Sequence, residues 1–140
     1  MFRIITAAAA ACLALTAPAF AAPCSGVDLA IGSVSVKSGT PSGNLNRYEI
    51  TGIVTNVGSS SQAANALQSV DIYQGNDRLD SRSVPPLLVG KSYPFSYSFT
   101  RAMDAGQNTT HLRFQLNVKQ PAMADSQTCN MANDSFTVTF

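Results

Sequence analysis

Apolar and polar residues alternate along most of this chain, and only an extended backbone puts every second side chain on one face. Val27, Leu29 and Ile31 alternate, and Val34 and Val36 continue in the opposite phase. The switch falls at Gly32-Ser33, where a bulge is expected. Tyr48, Ile50, Gly52 and Val54 line one face of a second strand, and Leu67, Val70 and Ile72 mark a third that reaches Tyr73. The tight turn Gln74-Gly75-Asn76-Asp77 folds residues 78–84 back as a hairpin partner. That partner is polar and alternates poorly, as suits the edge of a sheet, and Pro85-Pro86 stops it. Tyr93, Phe95, Tyr97 and Phe99 give the strongest alternation, set against Pro94, Ser96, Ser98 and Thr100. Leu112, Phe114, Leu116 and Val118 form the next strand, and Phe136, Val138 and Phe140 the last.

Turn-rich stretches at 38–46, 56–61, 104–108 and 120–133 separate these segments, with a further turn at Gly90-Lys91. Residues 61–68 suit one helical turn at most. About seven short strands with no helical period between them predict an all-β fold, an antiparallel β-sandwich. Phe95, Phe99, Phe114 and Phe136 are its expected core aromatics. The ending Phe136-x-Val138-x-Phe140 also occurs in outer-membrane barrels, but the short strands and the long polar loop before it favour the sandwich.

The first residues read differently. Arg3 precedes an unbroken apolar run over residues 4–15, followed by Thr16-Ala17-Pro18-Ala19-Phe20-Ala21. That order is a secretory signal peptide, too short to span a bilayer comfortably. Cleavage between Ala21 and Ala22 places Ala19 and Ala21 at the small-residue positions. Residues 1–21 are therefore expected to leave, and residues 22–140 to form one domain in the periplasm or outside the cell. Of nine Lys+Arg and eight Asp+Glu, Arg3 goes with the leader, so the remaining charges balance. No basic patch points to nucleic acid, and no later segment is apolar enough for a transmembrane helix. Cys12 would leave too, so Cys24 and Cys129 are expected to form one disulfide in an oxidising compartment. Closing a loop of roughly 105 positions contributes about 4–5 kcal/mol in the chain-entropy account.

Catalytic signatures are sparse. The single histidine, His111, begins a strand with no recognisable nucleophile motif beside it. Asp77, Asp80, Asp104, Asp125 and Asp134 fall in predicted loops, where Asp commonly satisfies turn backbone. A hydrolase would need two of them brought together. Asp125, Asn130, Asn133 and Asp134 offer hard oxygen donors that suit Ca²⁺, without EF-hand spacing. No cofactor is expected, and no metal site or catalytic residue is assigned. Asn108-Thr109-Thr110 and Asn133-Asp134-Ser135 match glycosylation sequons and are read as chance.

The order of short motifs resembles the CARDB domain, a cell-adhesion-related domain of bacteria. Val27-Asp28-Leu29 resembles its opening Pro-Asp-Leu strand, with Val27 in place of Pro. Ile53-Val54-Thr55-Asn56-Val57-Gly58 resembles its strand ending in Asn-x-Gly. Val70 to Asn76, then Val84-Pro85-Pro86-Leu87 and Gly90-Lys91, resemble its hairpin and following turn. The stretch 125–133 stands where the family often carries an acidic, Asn-rich segment, here interrupted by Cys129 and Met131. The resemblance implies an immunoglobulin-like sandwich and surface interaction without catalysis. The expected function is therefore an exported binding or adhesion module recognising a protein or glycan at the cell envelope. The alternative is a structural subunit of a surface or secreted assembly. The edge strand 78–84 is the expected acceptor of a partner strand.

Overall fold

The computed structural model describes residues 25–103, 109–120 and 130–140. In chain order the strands among these residues are β1 (Leu29–Ser38), β2 (Leu45–Asn56), β3 (Leu67–Gln74), β4 (Asp77–Val84), β5 (Ser92–Ala102), β6 (His111–Gln120) and β7 (Ser135–Thr139). They form two antiparallel sheets, one ordered β1-β2-β5 and the other β4-β3-β6-β7. The expected all-β sandwich is the fold observed. Ala21, Ala22, Cys24, Asp104, Asp125 and Cys129 lie outside the described residues, and with them the expected cleavage site and disulfide.

The phase switch at Gly32-Ser33 is a real irregularity. Ile31 pairs with Val54 and Val34 with Gly52, so β1 carries one extra residue between them. On β2 the even-numbered residues Ile50, Gly52, Val54 and Asn56 turn inward and are buried. Gly52 sits inward because its cross-strand partner Phe95 lays its ring over it. A Cβ there would come within 2.3 Å of that ring. Phe95 reaches Phe114 of the facing sheet, with ring centroids 5.6 Å apart. Around this pair pack Leu29, Ile50, Val54, Val70, Ile72 and Leu112, all fully buried. Each such side chain contributes about 1.5–3 kcal/mol on leaving water.

Two of the four expected core aromatics, Phe136 and Phe99, are corrected, and the strand residue Leu67 lies outside the core. Leu67 is 57 % exposed, and its neighbour Gln68 is buried instead. The pairing of β3 with β6 shifts between these two residues, so the phase set by Val70 and Ile72 picks out Gln68. Burial of that amide is compensated: it donates to Pro85 O at 2.8 Å and exchanges hydrogen bonds with Gln62. Phe136 is 38 % exposed although it pairs with Phe114. It lies on β7, which among the described strands ends the four-stranded sheet. Phe99 is likewise only half-buried on outer strand β5, where its ring stands edge-on to Phe140 at 5.9 Å. Residues 63–66 make the single turn expected, closed by Ala66 N–H donating to Ala63 O at 3.0 Å.

Candidate functional site

Three loops meet where β1 begins and β2 ends, and Asn56 joins them. Its side chain is fully buried. Its Oδ1 accepts from Gly58 N–H at 3.1 Å and from Asp28 N–H at 3.4 Å. Its Nδ2 donates to Ser60 O at 2.9 Å and Leu87 O at 3.0 Å. All the bonding capacity of one amide is thus used to hold β1, the 57–60 loop and the 85–90 loop together. The backbone adds to the clasp, since Val57 N–H donates to Asp28 O and Gly90 N–H to Asn56 O. This is the structural content of the Asn-x-Gly sequence. The same loops leave Val57, Leu88 and Val89 exposed at the tip.

Asp28 opens β1 beside this clasp and is 5 % exposed. Its Oδ2 lies 3.4 Å from Asn133 Nδ2, at the limit of a hydrogen bond. Its Oδ1 has no hydrogen-bond partner, and neither has buried Asn133 Oδ1. Asn133 closes a 3-10 turn over Met131–Asn133, and Asp134 follows as its C-cap. Of the four loop residues expected to suit Ca²⁺, Asn130 spends its Oδ1 on Ala132 N–H as the N-cap of that turn. Asn133 is brought instead to Asp28, which the loop-centred reading had missed. A buried carboxylate with a vacant lone pair, next to a vacant amide oxygen, is the donor chemistry a hard divalent cation takes. No group of three or more His, Cys, Asp or Glu side chains converges among the described residues.

The remaining candidates stand apart. Asp77 and Asp80 lie on β4 at one edge of the four-stranded sheet, and Asp134 precedes β7 at the other. These carboxylates therefore form no pair. His111 is exposed at the start of β6, its Nδ1 3.0 Å from Thr139 Oγ1. On β4, Ser81 N–H donates to Asp80 Oδ1 at 2.7 Å, and Arg82 pairs with Asp80 at 2.6 Å. An edge that hydrogen-bonds its own carboxylate and carries alternating charges is guarded against added strands. Residues 78–84 are the edge expected but a poor acceptor.

Sequence reading also passed over Asp71. It points to the outer face of the four-stranded sheet and is 1 % exposed. Ser69 Oγ, Ser81 Oγ and Asn117 Nδ2 donate to it at 2.9, 2.6 and 2.9 Å, and Arg78 lies at 3.5 Å. Burial alone would raise its pKa, but the bonds from Asn117, Ser81 and Ser69, with the charge of Arg78, outweigh burial and hold it below the ordinary 3.8. A depressed folded-state pKa stabilises the fold above the unfolded value and loses that contribution as pH falls through the folded one. Asp71→Asn is expected to cost about 1–3 kcal/mol at pH 7 and to flatten the acid limb of stability below about pH 4. Urea midpoints of both proteins at pH 7 and pH 3 measure this, and an unchanged acid limb would refute it.

No family model matches the sequence, and no curated protein matches it significantly. Solved structures do. The chain is similar to the solution NMR structure of the CARDB domain of PF1109 from Pyrococcus furiosus, at 16 % identity and a TM-score of 0.52. That match covers 83 % of this chain and 94 % of the other. It is similar as well to the crystal structure of the same domain in complex with di-metal ions, at 14 % identity and a TM-score of 0.53, covering 84 % and 91 %. The chain has the fold of the CARDB domain.

Proposed function

We propose that this chain is an exported, non-catalytic binding module of the adhesion-domain kind, whose loop-bearing end is braced by a divalent cation. The observation that carries this reading is the Asp28 carboxylate, buried with one oxygen weakly bonded and the other bonded to nothing. An ionised carboxylate without compensating partners is costly to bury. A hard cation held by Asp28 and Asn133, with Asp134 adjoining, supplies the missing partner and ties β1 to the segment before β7. The metal ions bound by the PF1109 domain support the assignment.

Bracing matters to recognition because Asp28 is one hydrogen bond from Asn56. The clasp so anchored presents Val57, Leu88 and Val89, apolar side chains that a protein or glycan at the cell envelope could cover. Export rests on the leader-like residues 1–21. Among the described residues no helix is long and apolar enough to cross a membrane.

The test is thermal denaturation of the purified chain in Ca²⁺, in Mg²⁺ and in EDTA. Cation at about a hundredfold above Kd is expected to stabilise by roughly 2.7 kcal/mol. Asp28→Asn removes the buried charge, so it should unfold no earlier than the parent in EDTA and gain nothing from cation. Capture of an envelope protein or glycan by the tagged chain, competed by untagged chain, is expected in cation and reduced in EDTA. Identical melting in all three solutions would sink the cation, and capture indifferent to EDTA would uncouple it from recognition.

A further inference from the structure

Among the described strands, the edge strand β5 is built unlike the edge strand β4. On β2, Gly39 N–H donates to Arg47 O on the β1 side, while Asn56 O accepts Gly90 N–H and Asn56 N–H donates to Lys91 O on the β5 side. Odd-numbered residues of β2 therefore bond β1 and even-numbered ones bond β5. With Tyr48 opposite Phe99, Ile50 opposite Tyr97 and Gly52 opposite Phe95, the odd residues of β5 bond inward. Ser96, Ser98 and Thr100 must then turn both N–H and C=O to the open side. Pro94 obeys the same parity, as a proline without N–H must in a strand.

Along its own length β5 lacks the guards that β4 carries, and the charges beside it are Arg82 of β4, whose guanidinium lies 5.9 Å over the Tyr97 ring, and Arg47 of β2, whose Nε donates to Ser98 Oγ at 3.1 Å. Its pairing with β2 runs from Leu45–Ala102 to Thr55–Ser92 with no shift, so no bulge twists it away. No charged residue occurs from Ser92 to Thr100. Among the described residues no side chain bonds the Ser96, Ser98 or Thr100 backbone N–H, whereas Asp80 bonds that of Ser81. A strand added here would have apolar residues continuing the inner row of Tyr97 and Phe99 and small polar ones outside. β5 itself meets that description. Its inner residues Phe95, Tyr97 and Phe99 are buried or half-buried, and its outer Ser96, Ser98 and Thr100 are exposed.

We propose that β5 pairs antiparallel with β5 of a second copy about a two-fold axis at Ser98. In that register Ser98 faces Ser98 of the partner subunit, and Ser96 and Thr100 face each other, forming about six N–H···O bonds. Tyr97 and Phe99 meet across the seam on the inner face, as a close non-hydrogen-bonded aromatic pair. The two three-stranded sheets become one of six. Because the same edge serves both copies, the assembly closes as a dimer and cannot grow into a fibre.

The axis at Ser98 gives a charge-swap test. Ser98→Lys and Ser98→Glu each set like charges directly opposite one another. Sedimentation equilibrium of the unchanged chain should show a concentration-dependent dimer. Each variant alone should be monomeric with its melting temperature retained, and an equimolar mixture should return to dimer. Monomer at millimolar concentration overturns the proposal. So does a dimer that persists in either folded variant, or a mixture that stays monomeric. Should one variant fail to fold, Thr100→Lys mixed with Ser96→Glu makes the same opposed pair and decides the question.

Discussion

Gly58→Ala should destabilise this domain by about 3 kcal/mol or more, at the upper end of overpacking effects, because the added methyl meets only backbone. A Cβ on Gly58 would lie 2.2 Å from Gly26 O, 2.5 Å from Asp28 N and 2.9 Å from Val27 C. Gly58 does not have positive φ, so the requirement is close approach and not backbone conformation. No side chain can rotate out of the way. Making room means moving the entry to β1, which is held by Ser59 and Ser60 N–H on Gly26 O at 2.8 and 3.1 Å and by Val57 N–H on Asp28 O at 2.7 Å. The melting temperature should fall by roughly 10 °C or more. A contrast lies in Gly39, where a Cβ would meet nothing closer than 3.4 Å. Calorimetric melting of both alanine variants measures the difference, and equal shifts would refute the close-approach account.

Asn56→Ala is expected to cost a comparable amount, about 3–5 kcal/mol, by a different route. It adds no clash. It strands the groups that the amide had served, the buried Asp28 N–H and the part-buried Gly58 N–H and Ser60 O, while Leu87 O keeps the bond from Gln62 N–H. Each unsatisfied group costs about 1–3 kcal/mol, less where the opened loops let water reach it. Asn56→Asp separates shape from bonding. It preserves the acceptor for Gly58 and Asp28 but turns the donating end into a second acceptor facing Ser60 O and Leu87 O. It should therefore fail nearly as badly as alanine at neutral pH. Chemical denaturation reads both, and an aspartate variant as stable as the parent would show that the donor bonds to the loops contribute little. Hydrogen exchange should report faster opening in the 57–60 and 85–90 loops of either variant than in β3 and β6.

The relation between chain and fold is uneven. Ile50, Gly52 and Val54 point inward as their alternation predicts, and the irregularity in β1 falls at Gly32-Ser33. Leu67 shows where that reading fails. Its hydrophobicity and position suit a core residue, but the pairing shift beside it gives the inward place to Gln68. Phe136 is a second case: its place opposite Phe114 suits an inward ring, yet on the edge strand β7 it stays 38 % exposed. Asp71 looked like an ordinary polar residue between Val70 and Ile72, yet three neighbours on three strands close over it.

The candidate cation site follows the same logic. Asn133 and Asp134 were visible as oxygen donors in a loop, but Asp28, the partner of Asn133, lies 105 positions away from it. Which amides of the edge strand β5 turn outward depends on its parity against β2, which no local pattern in the sequence shows.

By itself the sequence determined the class of fold, the number of strands, the bulge and the turns, because side-chain alternation and turn chemistry act over a few residues. Only the tertiary structure decided which strand lies beside which and in what register. Those choices put Asp28 next to Asn133, set Asn56 among three loops and left β5 at an open edge. The physical reason is that contacts between strands far apart in sequence depend on the whole order of the two sheets, which no local pattern encodes.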